Sequence, residues 1–310
     1  MPDYKYRLVN VFVGNHLLAG SALAGNPLCV FEDARGLDEP AMMALTRQFN
    51  LSETTFLLPP SHAAPDADLR VRIFTPTRDP RLAEMRFAGH PSLGSAHVAR
   101  DLLGLGDRVT LDLPAGRVPV QAQGDTWTLT APIRGGPLVH AEPLPAAAVA
   151  ALIGLEAADL AGPAVWLDTG MEQLLVPVKT AAQVRKAAPS AAQMDDWPRS
   201  RSGRCNAYVF AFTGAQVDDR DQVVARFFIK APGSGVYEDP GTGSACANLG
   251  GWLLHTGRRR PARVLVDQGT EIERPCRLLL DVGADGGVRV GGKVVAVATG
   301  TVTLPPSPEQ

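Results

Sequence analysis

Residues 88–96 read AGHPSLGSA, and residues 238–245 read EDPGTGSA. Both stretches contain a proline, then two intervening residues, and then glycine, serine and alanine. His90 precedes the first proline and Asp239 precedes the second. A short motif that occurs twice, with a different titratable side chain each time, indicates that the two halves of the chain share one fold.

The similarity extends upstream of the two motifs. RIF at 72–74 resembles RFF at 226–228, and these segments are 154 residues apart, whereas Pro91 and Pro240 are 149 apart. Each half therefore has the order strand, loop, small-residue turn and helix, which predicts an internal duplication. The difference between the two spacings predicts a loop that is five residues longer in the first half.

The segments that follow the motifs predict buried helices. SACANLGGWLL at 244–254 contains no charged residue, and in 90–99 only the two histidines are titratable. A helix that is apolar on every side belongs inside a core. We therefore expect a central helix wrapped by strands in each half, with the repeated motif at its N-terminus.

Other patterns predict an α+β chain of two domains. Residues 37–50 show helical spacing of apolar residues, and 108–132 reads as an antiparallel meander. A chain of 310 residues is longer than one hydrophobic core usually organises. The Pro/Gly/Ala-rich passage at 131–148 predicts the boundary, with one domain at 1–132 and the other at 133–292.

Composition argues against several classes of partner. The formal net charge is −2, from 30 Lys and Arg and 32 Asp and Glu, so nothing indicates nucleic-acid or anionic-membrane binding. The most apolar stretch, 146–155, is too short to cross a bilayer, and no signal peptide is evident. We expect a cytoplasmic protein. The four cysteines lack the spacing of a zinc site, so we expect no metal.

The two predicted helix N-termini can bind anions. Unpaired backbone N–H groups and the positive end of the helix dipole favour carboxylate or phosphate there. Glycine in PSLGS and PGTGS lets a ligand approach those amides. Two such termini, one from each domain, would hold a small anionic substrate between them.

Three titratable residues are candidates for proton transfer. His90 and Asp239 occupy matched places before the two prolines, where an imidazole and a carboxylate would serve one cleft. Glu53 begins the apolar strand ETTFLL, and partial burial would raise its pKa and suit it to act as a base or acid. Taken alone, each also fits a structural role, as an exposed strand-edge Glu, a core His or a helix-capping Asp.

Six segments resemble the PhzF-like (phenazine biosynthesis) family of isomerases. They are, in order, GNPLCVFED, LSETTFLL, RIFTP, FAGHPSLGSAH, EDPGTGSA and DQGTEIERP, and the resemblance runs from about residue 6 to residue 303. It implies a diaminopimelate epimerase-like fold. This fold has two pseudo-symmetric domains, each a central helix wrapped by a mixed, mostly antiparallel barrel-like sheet. Residues 293–304 would return to the first domain.

The resemblance also implies roles for particular residues. Glu53 would be the general acid/base that moves a proton between two substrate carbons, with His90 and Asp239 assisting. Gly89, Gly243 and Ser244 would bind the substrate's carboxylate. No metal, flavin, nicotinamide or pyridoxal cofactor is implied, and a homodimer is expected.

Two features bear on the substrate and the reaction. The loop at 75–86 is longer than the family pattern, and Arg86 stands where proline is common. The racemases of this fold use one thiol from each domain, but neither turn of this chain holds a cysteine. Cys246, about two helical turns into its helix, is expected to be a core residue.

The preferred hypothesis is a cofactor-independent isomerase that moves a proton, and with it a double bond, on a small carboxylate-bearing substrate. An amino-acid epimerase or racemase without catalytic cysteines is the second hypothesis. A non-catalytic protein that binds small acids is the third.

Overall fold

The computed structural model divides into two compact units. They are Met1–Leu129 with Lys293–Gln310, and Thr130–Gly292. The sequence predicts a division after residue 132, with 293–304 returning to the first domain. The structure describes residues 2–14, 23–77, 83–131, 138–140, 144–189, 196–230 and 235–304.

The first unit is a sheet of eight main strands around one helix. Its neighbouring strands follow the order β17, β1, β2, β3, β4, β6, β7, β8, and β8 pairs again with β17, so the sheet closes on itself. The elements are β1 (Asp3–Val11), β2 (Asn26–Phe31), α1 (Glu39–Phe49), β3 (Glu53–Leu58), β4 (Leu69–Phe74), β5 (Glu84–Met85), α2 (Gly89–Leu103), β6 (Arg108–Leu113), β7 (Gly116–Gln123), β8 (Thr126–Thr130) and β17 (Val288–Thr303).

The second unit has the same kind of sheet. Its strand order is β9, β10, β11, β12, β13, β15, β16 and the beginning of β17. The elements are β9 (Leu138–His140), α3 (Ala146–Leu152), β10 (Val165–Asp168), β11 (Glu172–Pro177), α4 (Ala181–Lys186), β12 (Cys205–Val217), β13 (Arg220–Lys230), β14 (Val236–Asp239), α5 (Gly243–His255), β15 (Ala262–Gln268) and β16 (Cys276–Val282).

The two sheets repeat the same sequence of pairings. In each, two antiparallel pairs are followed by a parallel, an antiparallel and a parallel pair, and then by two more antiparallel pairs. Seven pairings in one shared order indicate an internal duplication. The predicted α+β fold, with two pseudo-symmetric units and mostly antiparallel sheets, is confirmed.

A buried helix lies in each sheet, as predicted. The first eleven residues of α2 are all buried, and α5 buries Gly243 and most of its remaining residues. Gly94 allows the close packing of α2, because a Cβ there would lie 2.5 Å from Leu28 Cδ2. Across the described ranges, no helix is long and apolar enough to cross a bilayer.

The predicted alignment of the two motifs is wrong. Glu84 pairs with Phe74 across β4 and β5, and Glu238 pairs with Phe228 across β13 and β14. Corresponding residues of the two pairs are 154 positions apart in the sequence. The first residues of the two helices, Gly89 and Gly243, are also 154 positions apart. The connections between strand and helix therefore have equal length, and the predicted loop of five extra residues does not exist.

The two prolines occupy different structural positions, which explains the error. Pro91 is the third residue of α2, where the first turn tolerates proline, whereas Pro240 lies before α5 begins. At the same spacing of 154 residues, His90 corresponds to Ser244, and Asp239 corresponds to Met85. The two motifs match in sequence, but each helix begins at a different position within its motif.

Candidate functional site

Three side chains meet in the first unit. Glu53 begins β3, which pairs in parallel with β2, and Asn26 begins β2. His90 is the second residue of α2. His90 Nδ1 lies 3.4 Å from Glu53 Oε2 and 3.3 Å from Asn26 Nδ2. The structure thus brings together two of the predicted catalytic residues, together with an asparagine that was not predicted.

Burial decides the charge of His90. Its side chain is 5% exposed and that of Glu53 is 15% exposed. Burial lowers the pKa of His90 to about 3, and a hydrogen bond with the Pro27 backbone opposes part of this effect. The imidazole is therefore neutral near neutral pH, and the contact between His90 and Glu53 is not an ion pair.

The tautomer of a neutral imidazole determines which protonation state of Glu53 it suits. One of its ring nitrogens donates and the other accepts. An ionised Glu53 can only accept, which suits a proton on His90 Nδ1. A protonated Glu53 donates, which suits a bare Nδ1 that also accepts from the Asn26 amide. Each tautomer of His90 therefore suits one state of the carboxyl group.

We expect the neutral state of His90 to make stability depend on pH. Its folded pKa lies below its unfolded value of about 6.5, so the unfolded chain binds more protons and stability falls as the pH drops through this window. Between pH 6.5 and 5.5, this group should remove about 1 kcal/mol from the free energy of unfolding. Urea unfolding of wild type and His90→Gln measures the difference.

The wild type should lose about 1 kcal/mol more than His90→Gln over that interval. Burial also lowers the pKa of His97, which accepts a hydrogen bond from Trp127 Nε1 at 3.2 Å, but His97 is present in both proteins. Equal pH slopes for the two proteins would show that His90 is not held neutral.

In the second unit, Asp239 lies in a hydrogen-bonded turn. It ends β14 and is 7% exposed, and its carboxylate accepts a hydrogen bond from Thr242 Oγ1. Gln268, which is 1% exposed, donates from Nε2 to the Asp239 carbonyl at 2.9 Å and accepts from Thr242 N–H at 3.3 Å. Gln268 therefore fixes the shape of the turn that leads into α5.

Gly269 allows this turn to pack. Its φ is +79°, and a Cβ there would lie 2.5 Å from the carbonyl oxygens of Pro240 and Arg274. Gly203 has the same φ of +79° with no atom within 4 Å of its Cβ position. The two glycines share one backbone conformation and differ in the space around them, so they form a matched pair.

We expect Gly269→Ala to lower the free energy of unfolding by about 2–4 kcal/mol, because left-handed strain and overpacking add. Gly203→Ala should cost only about 1 kcal/mol, from the backbone alone. Urea unfolding of both variants measures this. A similar loss for the two variants would contradict the contact between Gly269 and the Pro240 backbone.

The predicted carboxylate-binding residues lie at the two helix N-termini. Gly89 and Gly243 are the first residues of α2 and α5, and Ser244 is the second residue of α5. Within the described chain, no side chain caps either terminus. The backbone donors at these ends are therefore available to an anion. Ser244 Oγ accepts a hydrogen bond from Gln173 Nε2 at 2.9 Å.

The thiols are poorly placed for racemase chemistry. All four cysteines are buried. Burial raises the pKa of Cys29, Cys246 and Cys276, and the charge of Asp239 raises that of Cys276 further. Cys246 is a core residue as predicted, but it lies in the first turn of α5 and not two turns in. Among the described residues, no cluster of His, Cys, Asp or Glu could hold a metal ion.

Sequence reasoning missed the amides that support the predicted residues. Asn26 belongs to GNPLCVFED and Gln268 to DQGTEIERP, two of the segments that carry the family resemblance. The family resemblance of those two segments was the signal that could have identified Asn26 and Gln268. Gln173 lies in a strand that is otherwise apolar apart from Glu172, and nothing local indicates its partner.

Comparison with known proteins agrees with this architecture. The family model described as phenazine biosynthesis-like protein matches residues 17–300. An uncharacterized isomerase of Pasteurella multocida is 35% identical over 305 residues, covering 98% of this chain and 96% of its own length. The trans-2,3-dihydro-3-hydroxyanthranilate isomerase of Pseudomonas aeruginosa is 30% identical over 311 residues, covering 97% and 100%.

A solved structure shares the fold. It is the PhzF-family phenazine biosynthesis protein of Bacillus anthracis, with a TM-score of 0.79 and 22% identity over 98% of this chain and 100% of the other. The family match over most of the length, together with relatives that are at least 30% identical, shows that this chain belongs to the phenazine biosynthesis-like protein family.

Proposed function

We propose that this isomerase moves a proton between two carbons of a small carboxylate-bearing substrate, shifting a double bond without a cofactor. The observation that carries the proposal is the contact between Glu53 and the neutral imidazole of His90. The Pseudomonas aeruginosa relative, named as an isomerase of trans-2,3-dihydro-3-hydroxyanthranilate, suggests a cyclic amino acid as the first substrate to test.

Glu53 is the group best suited to carry the proton. Its side chain is 15% exposed, so a substrate can reach part of it while most bulk water is excluded. A carboxylate takes a proton from one carbon and, once protonated, can return it to another. His90 contacts that carboxyl group, and Asn26 contacts the imidazole. In this proposal Glu53 carries the proton, and His90 and Asn26 position its carboxyl group.

The predicted binding residues offer groups that suit a carboxylate-bearing substrate. Gly243 and Ser244 begin α5, and their N–H groups with the Ser244 hydroxyl suit a carboxylate. Asp239 has its carboxylate held by Thr242 and would orient the amino or hydroxyl group of the substrate. Gly89 offers the equivalent backbone donor at the start of α2.

A substrate panel in heavy water tests this proposal. The purified chain is incubated with trans-2,3-dihydro-3-hydroxyanthranilate, proline, trans-4-hydroxyproline and diaminopimelate, and proton NMR follows each compound. Movement of a double bond supports the proposed reaction. Deuterium at an α-carbon with inversion and no double-bond shift would support the epimerase instead. Saturable binding without either change would indicate a non-catalytic protein that binds small acids.

A further inference from the structure

A chain of buried polar side chains ends at Ser244. Thr169 is 3% exposed, and Gln173 and Asn248 are 0% exposed. Hydrogen bonds run from Thr169 to Asn248, from Asn248 to Gln173 and from Gln173 to Ser244, all within the second unit. Burying these amides is costly unless each hydrogen bond is made, so the chain has a defined arrangement.

A backbone group sets the direction of the chain. The N–H of Thr169 can only donate, and it lies 2.9 Å from one side-chain atom of Asn248, which must therefore be the oxygen. The Asn248 amide nitrogen then donates to the Met171 carbonyl at 2.8 Å and to Gln173 Oε1 at 2.7 Å. The orientations of the Asn248 and Gln173 side-chain amides both follow from the position of the Thr169 N–H.

The same logic determines the role of the Ser244 hydroxyl. With its oxygen facing Asn248, Gln173 turns its nitrogen to Ser244 and donates to Oγ at 2.9 Å. Ser244 Oγ accepts there, so its own hydrogen must donate in another direction. Ser244 is the second residue of α5, where the backbone N–H groups also donate. All donors at this terminus can therefore serve one anion.

We infer that Gln173 and Asn248 are positioning residues that hold the Ser244 hydroxyl as a hydrogen-bond donor to the substrate carboxylate. The inference rests on the proposed function, in which Ser244 binds that carboxylate. Neither amide touches the substrate in this account. They act through Ser244, because a buried amide that donates to Oγ prevents the hydroxyl from turning its hydrogen back into the core.

A double-mutant cycle tests the inference. Ser244→Ala should raise KM for trans-2,3-dihydro-3-hydroxyanthranilate by about 10- to 100-fold, the usual effect of losing a hydrogen bond to a charged group. Gln173→Met keeps the length of the side chain but cannot donate, and it should raise KM by about 3- to 10-fold with kcat nearly unchanged. In the Ser244→Ala background, Gln173→Met should have no further effect on KM.

The control is Gln222→Met, which removes an amide on β13 that donates to Asp267 at 2.7 Å, outside the hydrogen-bonded chain that ends at Ser244. It should leave KM unchanged. The inference would be overturned if Gln173→Met changed KM equally in the wild-type and Ser244→Ala backgrounds, because a merely structural residue acts independently of the Ser244 hydroxyl. A normal KM in Gln173→Met would also overturn it.

A second readout separates this inference from the proposed reaction. Benzoate, a simple carboxylate, should raise the melting temperature of the wild type. It should raise the melting temperature of Gln173→Met by less. The increases for Ser244→Ala and for the double variant should equal each other. This pattern without any turnover would leave the inference intact and reject the isomerase reaction. An equal benzoate shift in wild type and Gln173→Met would reject the inference.

Discussion

Glu53→Gln is expected to lower kcat by a factor of at least about 10²–10⁴, the usual contribution of a general acid or base. The amide keeps the shape of the carboxyl group but cannot take a proton from carbon. Because its size is unchanged, substrate binding should remain within about threefold of the wild type. Steady-state kinetics and a thermal shift with the substrate measure the two quantities separately.

Glu39→Gln is the matched control in the same unit. Glu39 begins α1, its side chain is 53% exposed, and it pairs with Arg72 on the protein surface. It should retain wild-type kcat. Full activity in Glu53→Gln, with a normal melting temperature in both variants, would remove Glu53 from the mechanism.

Glu238→Gln is expected to cause the largest loss of stability. Glu238 and Arg226 are 6% and 12% exposed, and Arg226 Nη2 lies 2.5 Å from Glu238 Oε2. Neutralising Glu238 leaves the buried Arg226 charge facing neutral groups, namely the carbonyls of Arg185 and Ala187 and the ring of Phe228. Breaking a buried pair by removing one partner typically costs about 3–5 kcal/mol.

The duplication supplies the control for this prediction. Glu84 and Arg72 are the equivalent pair, but Glu84 is 30% exposed and Arg72 also pairs with Glu39. Glu84→Gln should therefore cost only about 1 kcal/mol. Urea unfolding compares the two variants. Equal losses, or a larger loss at Glu84, would contradict the conclusion that burial determines the strength of these pairs.

The sequence predicts the fold of this chain well because burial leaves local signals. The apolar residues of α2 and α5 and the alternating residues of the strands are visible without a structure. The residue-by-residue alignment of the two halves was harder to predict. P-x-x-G-S-A aligns Pro91 with Pro240, yet helix α2 begins before its proline and α5 after. Strand pairing, which places Glu84 and Glu238 at equivalent positions, is the reliable guide.

The candidate site was predictable only in part. Glu53, His90 and Asp239 are chemically distinctive residues in recognisable motifs. The amides that support Ser244 act over long separations: Asn248 contacts Thr169 across 79 residues, and Gln173 contacts Ser244 across 71. No local pattern predicts such a pairing, because it depends on which strand lies beside which helix.

The most direct test of the central claim is the loss of the substrate's carbon-bound proton in heavy water, followed by NMR for wild type and Glu53→Gln side by side. The substrate is the compound from the panel that the wild type converts. We predict that the wild type removes this proton as product forms, whereas Glu53→Gln binds the compound and leaves its C–H signal unchanged over ten wild-type half-lives. Loss of the signal at the wild-type rate in Glu53→Gln would show that another group takes the proton.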